Sequence, residues 1–592
     1  MRALGYRTVD ALVDWLSADE GVPLVRASPD EMAARLGAPR PESTSFDDAL
    51  RTLFDDVLPF TSRSGHPRFF AYVPFAGTWP GALGDFVASA CNVYAGSWQE
   101  SAGPTQLELV ILDWFKEWVG YPSSATGSLV TGGSAANLTA VACAREARVG
   151  PMRDDLVLYA SDQTHYSVGR AARTLGFRPA QLRVLPVGED LRVAPDTLAA
   201  AISADEAAGR IPFLVVANGG STSTGAVDPL RALADVCEER GVWLHVDAAY
   251  GGFAALTERG GRALDGLELA DSITLDPHKW LYQPYECGCL LVRDGGALRR
   301  AFEIHTDYLR DAEAPSGTVN FADYGIQLTR ATRAFKLWLS LRTFGVDAFR
   351  SAIDRTLDLA ELACRRIETS ETLELAAPPS LGIVCFFRRG AAERETDGLV
   401  AALEESGLGL VSSTRVHGRP ALRLCVLNHT TRADDVERVL DFLATAEPRG
   451  ATTDYERHEP VTASIPLFAR LEPQELDEFR SLATARSFAA GEQVLSRWDT
   501  SRDFYVIESG LVDVVLDDEL VATLRPGEYF GEIAAIEWGA GYARSRVADV
   551  VARTSARVHE LDAAALARLL DDFPRLEEEI RQTAHRRLRA IL

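Results

Sequence analysis

The chain has 592 residues, 47% of them hydrophobic and 25% charged, with a formal net charge of -24 at pH 7. That length is more than one core organises, so two to four domains are expected, and the composition is that of a folded globular protein rather than a disordered or membrane one. The negative balance argues against non-specific attraction to nucleic acid or anionic lipid, both polyanions, so neither nucleic acid nor membrane is expected as a partner and small molecules are.

The eight cysteines are scattered; only Cys287 and Cys289 lie close, too close for a zinc or redox CxxC pattern, and no disulfide framework is implied. Residues 1–16 mix Arg2, Arg7, Asp10 and Asp14 into their apolar positions and resemble neither a signal peptide nor a membrane span. The expected compartment is the reducing cytoplasm.

Apolar residues recur at helical spacing over 9–16, after which Pro23, Pro29, Pro39 and Pro41 divide the chain into short pieces. Residues 1–60 therefore read as an arm. From 67 to 292, strand-like apolar runs at 156–159, 213–217, 242–246 and 272–275 alternate with helical stretches. That alternation predicts an α/β fold, a mostly parallel sheet covered by helices, over 61–345. Helical patterns at 335–344 and 352–366 and a strand at 382–387 predict a smaller α+β domain over 346–446. The stretch 447–463, rich in Pro, Thr, Glu and Arg, reads as a linker. Beyond it, over 464–592, short glycine-punctuated strands at 504–507, 511–516 and 520–524 precede a final helix at 563–592.

Five segments carry candidate chemistry. Ser272-Ile-Thr-Leu-Asp-Pro-His-Lys-Trp280 runs a strand into Pro277 and presents His278 and Lys279 at a carboxyl end, where open α/β sheets bind ligands. Walled by Trp280 and Tyr282, Lys279 is expected to lose its charge by desolvation and to attack an aldehyde. The strand 242–247 ends in Asp247, followed by Ala248 and Ala249. A carboxylate at that depth needs a cationic partner such as a protonated pyridine nitrogen; a helix N-cap is the alternative. In Thr131-Gly-Gly-Ser-Ala-Ala-Asn137, glycines precede a helix whose N–H groups, with the Ser134 hydroxyl, suit a phosphate. His165 follows a strand and is placed to stack on a flat ring, and residues 220–225 offer hydroxyls after the strand at 213–217.

Together these blocks resemble the group II pyridoxal-phosphate decarboxylases, the family of aromatic amino-acid, histidine and glutamate decarboxylases, from about residue 9 to 443. The resemblance implies an aspartate-aminotransferase-like fold of type I, pyridoxal 5'-phosphate (PLP) as cofactor, and a homodimer with an exchanged N-terminal arm. It implies Lys279 as the Schiff-base lysine, Asp247 as partner of the pyridine nitrogen and His165 as the stacking base, with Gly133, Ser134, Thr222, Ala249 and His278 completing the cofactor site. It further implies Tyr308 as the residue that protonates Cα, whereas relatives with phenylalanine there tend to release aldehydes. Tyr72, Val73, Pro74, Trp98 and Thr329 are implied as the substrate pocket; Val73 and Gly96 stand where the animal enzyme has phenylalanines, which widens the expected pocket. Tryptophan, tyrosine and DOPA stay open as substrates. The expected reaction is decarboxylation of an aromatic L-amino acid to its amine, with aldehyde synthesis or another PLP-dependent lyase reaction as the alternative.

In the tail, Phe530-Gly-Glu-Ile-Ala534 and Arg546 resemble the phosphate cassette of cyclic-nucleotide-binding domains, a β-roll. There backbone N–H groups and a buried guanidinium hold a cyclic phosphate and a carboxylate accepts from the ribose. The resemblance implies Gly531, Glu532, Ala534 and Arg546 in those roles and cAMP or cGMP as effector. Ser545 replaces the family's usual proline, and Asp549 brings a negative charge near the expected site. A nucleotide sensor with a silent enzyme half is the remaining rival; the intact Lys279, Asp247 and Tyr308 argue against it.

Overall fold

The computed structural model describes residues 1–17, 21–37, 43–304, 317–449, 482–497, 503–516, 519–526, 528–532, 548–572, 580 and 587. The chain forms two compact units, residues 1–450 and 451–592.

The first unit is built on a seven-stranded sheet of β1 (Thr126–Val130), β2 (Leu156–Ser161), β3 (Leu182–Leu185), β4 (Ile211–Asn218), β5 (Trp243–Asp247), β6 (Ser272–Leu275) and β7 (Gly288–Val292), in the order β1-β7-β6-β5-β4-β2-β3. Every residue of β2, β5, β6 and β7 is buried, which is why these strands read as continuous apolar runs rather than alternating ones. Strands β2 to β6 pair in parallel, while β7 is antiparallel to both β6 and β1. Since β1 and β6 both oppose β7, they run the same way. The carboxyl ends of β1, β2, β4, β5 and β6 therefore lie on one edge of the sheet, as expected from the five candidate segments.

A second, antiparallel sheet in the same unit joins β8 (Leu373–Leu375), β9 (Ile383–Arg388), β10 (Ser412–Val416) and β11 (Arg419–Cys425) in the order β10-β11-β9-β8. The helices Val346–Glu368 and Ala433–Thr445 bury their apolar stripes in the same core as this sheet. The N-terminal helices Arg2–Ser17, Pro29–Leu36 and Phe46–Thr52 bury no residue at all, and the helix Trp79–Ala90 exposes Trp79, Leu83, Phe86 and Val87. Among the described residues no helix is long and apolar enough to cross a membrane, and all eight cysteines are free thiols.

Among its described residues the second unit holds two antiparallel four-stranded sheets. One has the order β12-β19-β14-β17 and the other β13-β18-β15-β16, with β12 (Thr484–Phe488), β13 (Gln493–Leu495), β14 (Phe504–Ser509), β15 (Val512–Leu516), β16 (Glu519–Leu524), β17 (Tyr529–Phe530), β18 (Asp549–Ala552) and β19 (Ala556–Leu561). Leu495, Ile507, Val512 and Val558 meet between them in one core. The helix Ala563–Asp572 follows; most of the rest of the helix expected to 592 lies outside the described residues.

Candidate active site

Residue spacing decides which side chains meet at the sheet edge. In β5, His245 and Asp247 are two apart and share a face; their register partners in β6 are Ser272 and Thr274. The helix Gly133–Arg148 starts directly after β1 and contributes Asn137, whose amide Nδ2 donates to Asp247 Oδ2 at 2.8 Å. Asp247 is buried, and its Oδ1 accepts from the Ala249 N–H at 3.2 Å. It caps no helix, so the N-cap alternative falls.

A cavity of about 320 Å³ opens at this edge. Its walls include Gly133, Ser134, His165, Thr222, Asp247, Ala249, His278 and Lys279, so all eight residues expected at the cofactor site line one space. Gly133 is required by packing: a Cβ there would stand 2.9 Å from Asp276 Oδ2 and 3.1 Å from the Ala249 Cβ. The helix can begin this close to the opposite wall only because no side chain intervenes.

The charge state of Lys279 corrects a sequence expectation. Burial does push its pKa down, but the nearby carboxylates of Asp276 and Asp247, with a hydrogen bond to Asp276, outweigh burial and raise it. Lys279 Nζ sits 3.0 Å from Asp276 Oδ2, so the amine is held as ammonium rather than released by desolvation. Trp280 and Tyr282 do not wall it; both are fully packed in the core, with Trp280 stacked on Tyr250 at 5.4 Å. Aromatic rings in contact with cavity residues include Tyr285, 5.1 Å from the His278 ring and 4.9 Å from Phe75, and Tyr166, 4.3 Å from the His165 ring.

Both cavity histidines are held below the usual histidine range by burial. The backbone N–H of Cys287 donates to His278 Nδ1 at 3.0 Å, leaving His278 Nε2 to carry the proton 3.5 Å from Asp276 Oδ2. The Ser167 N–H donates to His165 Nδ1 at 3.3 Å, so His165 likewise bears its proton on Nε2.

The expected substrate residues stand apart: Tyr72, Val73, Pro74, Trp98 and Thr329 do not line this cavity. Tyr72 is 66% exposed, Thr329 is exposed, and the Trp98 N–H donates to Asn320 Oδ1 at 2.9 Å. The 72–74 segment is nevertheless tied to the cavity. Buried Arg423 donates from Nη1 to the Tyr72 carbonyl at 2.6 Å and from Nε to the Thr222 carbonyl at 2.9 Å. The space expected to open at Gly96 is not free, because a Cβ there would fall 2.1 Å from the Tyr94 hydroxyl. Tyr308 lies outside the described residues.

Sequence reasoning passed over Asn137, Asp276 and Arg423. A usable signal existed for Asn137, a lone amide in the small-residue and apolar run Ala135 to Leu138 of a helix.

In the second unit, Gly531 has a φ of 90°, which glycine alone adopts without strain. The buried Glu532 accepts from Arg587 Nη1 at 2.9 Å, and the same nitrogen donates to the Tyr529 carbonyl at 2.6 Å. Asp549 Oδ1 is committed to Gln493 Nε2 and the Arg497 N–H, both at 2.8 Å. Ala534 and Arg546 lie outside the described residues.

Comparison with known proteins identifies the domains to which these segments belong. Residues 29–389 match the pyridoxal-dependent decarboxylase conserved domain, and residues 485–573 the cyclic nucleotide-binding domain. An aromatic-L-amino-acid decarboxylase of Bacillus atrophaeus is 38% identical over 450 residues, covering 74% of this chain and 94% of the relative. A phenylacetaldehyde synthase of Petunia hybrida is 33% identical over 400 residues, covering 65% of this chain and 77% of the relative. The crystal structure of Oryza sativa TDC with PLP and tryptamine superposes with a TM-score of 0.71 at 31% identity, covering 75% of this chain and 96% of that one. The chain belongs to the pyridoxal-dependent decarboxylase family, with a cyclic nucleotide-binding domain behind the enzyme.

Proposed function

We propose that this protein decarboxylates an aromatic L-amino acid to the corresponding amine, with Lys279 holding the cofactor and a cyclic nucleotide modulating turnover. The observation that carries the reading is the single cavity in which Lys279, Asp247, His165 and the start of the helix Gly133–Arg148 converge.

The residues present fit pyridoxal phosphate. The cradle at Gly133 would be filled by any Cβ, and the exposed N–H groups of a helix start suit a phosphate. Asp276 Oδ1 is buried without a hydrogen-bond partner, which marks a wall built for a polar guest. A cavity of about 320 Å³ lies within the size range of cofactor sites.

When bound, the cofactor supplies an electron sink for the pair left on Cα by departing carbon dioxide. The chain's own residues do the rest. Ser134 and the helix start would hold the phosphate. Asp247, aimed by Asn137 and the Ala249 N–H, would keep a proton on the ring nitrogen. His165 would cover the ring with its Nε2–H toward it, Lys279 would supply the amine, and Tyr308 would deliver the proton to Cα. His278, which lines the cavity, is in ring contact with Tyr285 and that ring with Phe75, which supports an aromatic side chain in the substrate, as does the 38% identity over 450 residues to an aromatic-L-amino-acid decarboxylase. For Thr329, Trp98 and the 72–74 segment, which stand apart from this cavity, the support as substrate contacts is the family resemblance alone.

The apolar stripe of the helix Trp79–Ala90 and the unburied N-terminal helices support a homodimer. The free thiols support a reducing cytoplasm.

The test is turnover of a panel of amino acids with amine, aldehyde and peroxide all measured, together with borohydride fixation of the cofactor. Tryptophan, tyrosine or DOPA should yield amine, and the fixed adduct should map to Lys279. Absence of an adduct there ends the reading. Tyr308→Phe should divert product from amine toward aldehyde, and unchanged amine output removes Tyr308 from the proton delivery.

A further inference from the structure

Asn137 is buried beneath Asp247 and fills every hydrogen-bonding position of its amide. Nδ2 donates to Asp247 Oδ2 at 2.8 Å and to Ser167 Oγ at 2.9 Å. Oδ1 accepts from Thr274 Oγ1 at 2.7 Å and from His245 Nε2 at 3.1 Å. Of these four partners only the Asp247 carboxylate is restricted to one role, as acceptor; it fixes which way the amide points, and the two hydroxyls and His245 Nε2 adapt to it.

The direction then propagates. An amide oxygen only accepts, so His245 carries its proton on Nε2 and its Nδ1 must accept, 2.8 Å from Ser272 Oγ. The Ser272 hydroxyl donates there and is itself supplied by the Trp243 indole N–H at 2.8 Å. On the other side the Ser167 hydroxyl, already accepting from Asn137, is free to donate to His165 Nδ1 at 2.8 Å. One polarised chain thus runs from Trp243 through Ser272, His245, Asn137 and Ser167 to His165, with a branch onto Asp247. Burial keeps His245 neutral, with its pKa pulled down to about 4, as this polarity requires.

We infer that Asn137 is a positioning residue, aiming Asp247 as an acceptor at the cofactor's ring nitrogen and, through the Ser167 hydroxyl, adding a second donor to His165 Nδ1 beside the Ser167 N–H that already sets its Nε2–H form. The inference rests on Asp247 and His165 facing the cofactor, as proposed above. Loss of a hydrogen bond to a charged group should cost about tenfold or more in affinity for a ring whose nitrogen bonds to Asp247.

The experiment compares apoprotein affinity for pyridoxal phosphate and for its 1-deaza analogue, which has carbon in place of the ring nitrogen, followed by quenching of intrinsic fluorescence. Wild type should prefer pyridoxal phosphate. Asn137→Ala should lose about tenfold or more for pyridoxal phosphate and no more than about twofold for the analogue. Ser167→Ala, which removes the hydroxyl donor to His165 and one acceptor of the Asn137 amide while keeping the backbone N–H, should cost less affinity for pyridoxal phosphate than Asn137→Ala and lower kcat without raising KM. If Asn137→Ala does not fold, Thr274→Val removes one support of the amide and should show the same selectivity in smaller measure. Equal loss for both ligands means Asn137 only fills space and overturns the inference. A wild type with no preference between the ligands overturns instead the placement of Asp247 at the ring nitrogen.

Discussion

At the scale of single residues, the pairing of Lys279 with Asp276 makes cofactor capture a titration. The amine must be neutral to attack an aldehyde, yet Asp276 at 3.0 Å holds it as ammonium and its pKa is raised. Below that pKa the neutral fraction rises tenfold per pH unit, so capture of pyridoxal phosphate by apoprotein should quicken as pH rises. Asp276→Asn removes the counter-charge, lowers the lysine pKa and should speed capture at neutral pH by about tenfold, read by stopped-flow absorbance. No change would mean that Asp276 does not govern the amine. Lys279 was legible in the sequence because a proline-terminated strand announces it. Its charge was not, because that depends on which carboxylates the fold brings beside it.

At the scale of elements, the helix Gly133–Arg148 and strand β5 carry the site. Gly133→Ala places a methyl 2.9 Å from Asp276 Oδ2 and 3.1 Å from the Ala249 Cβ. It should weaken cofactor binding by about tenfold or more, because something on one wall must shift, and reconstituted absorbance at limiting cofactor measures this. Strand β5 carries a second consequence. Burial pulls His245 down to about 4, against about 6.5 for an unfolded histidine. The folded chain therefore refuses a proton that the unfolded chain accepts. Its contribution to stability is complete above about pH 6.5 and lost progressively as pH falls toward 4. His245→Gln should flatten that acid limb in denaturant unfolding measured against pH; an unaltered limb would assign the loss to other groups. Strands β2, β4, β5 and β6 were legible to within a few residues as apolar runs. Strand β1 was not, since Gly127 and Ser128 have little strand preference and only pairing with β7 makes them one. Asn137 escaped for a similar reason, its partners lying between 30 and 137 residues away.

At the scale of the whole molecule, composition and glycine spacing suggest a linker at 447–463 with a change of character beyond it, and the two compact units meet in sequence at residues 450 and 451. Which nucleotide the second unit would take was not legible, because the cassette depends on backbone geometry rather than on residue identity alone. Glu532, the carboxylate implied for a ribose hydroxyl, already accepts from Arg587. A nucleotide using Glu532 must therefore displace or share that guanidinium. Arg587→Ala should tighten cAMP or cGMP binding by several-fold, within the range of a charged hydrogen bond, as read by calorimetry on the full chain. Weaker binding would show Arg587 to be a buttress of the site, not a competitor.

The side-by-side pairing of β5 and β6 also limits how this enzyme can be rebuilt. His245, Asp247, Ser272 and Thr274 occupy alternate positions of two neighbouring strands in fixed register. Inserting one residue between 245 and 247 would turn the aspartate toward the opposite layer of helices and dismantle its support in the same stroke. Length changes are thus barred from a handful of central positions, and redesign of specificity has to be done in the connecting loops, where residues can be added without reversing which side of the sheet the chemistry is on.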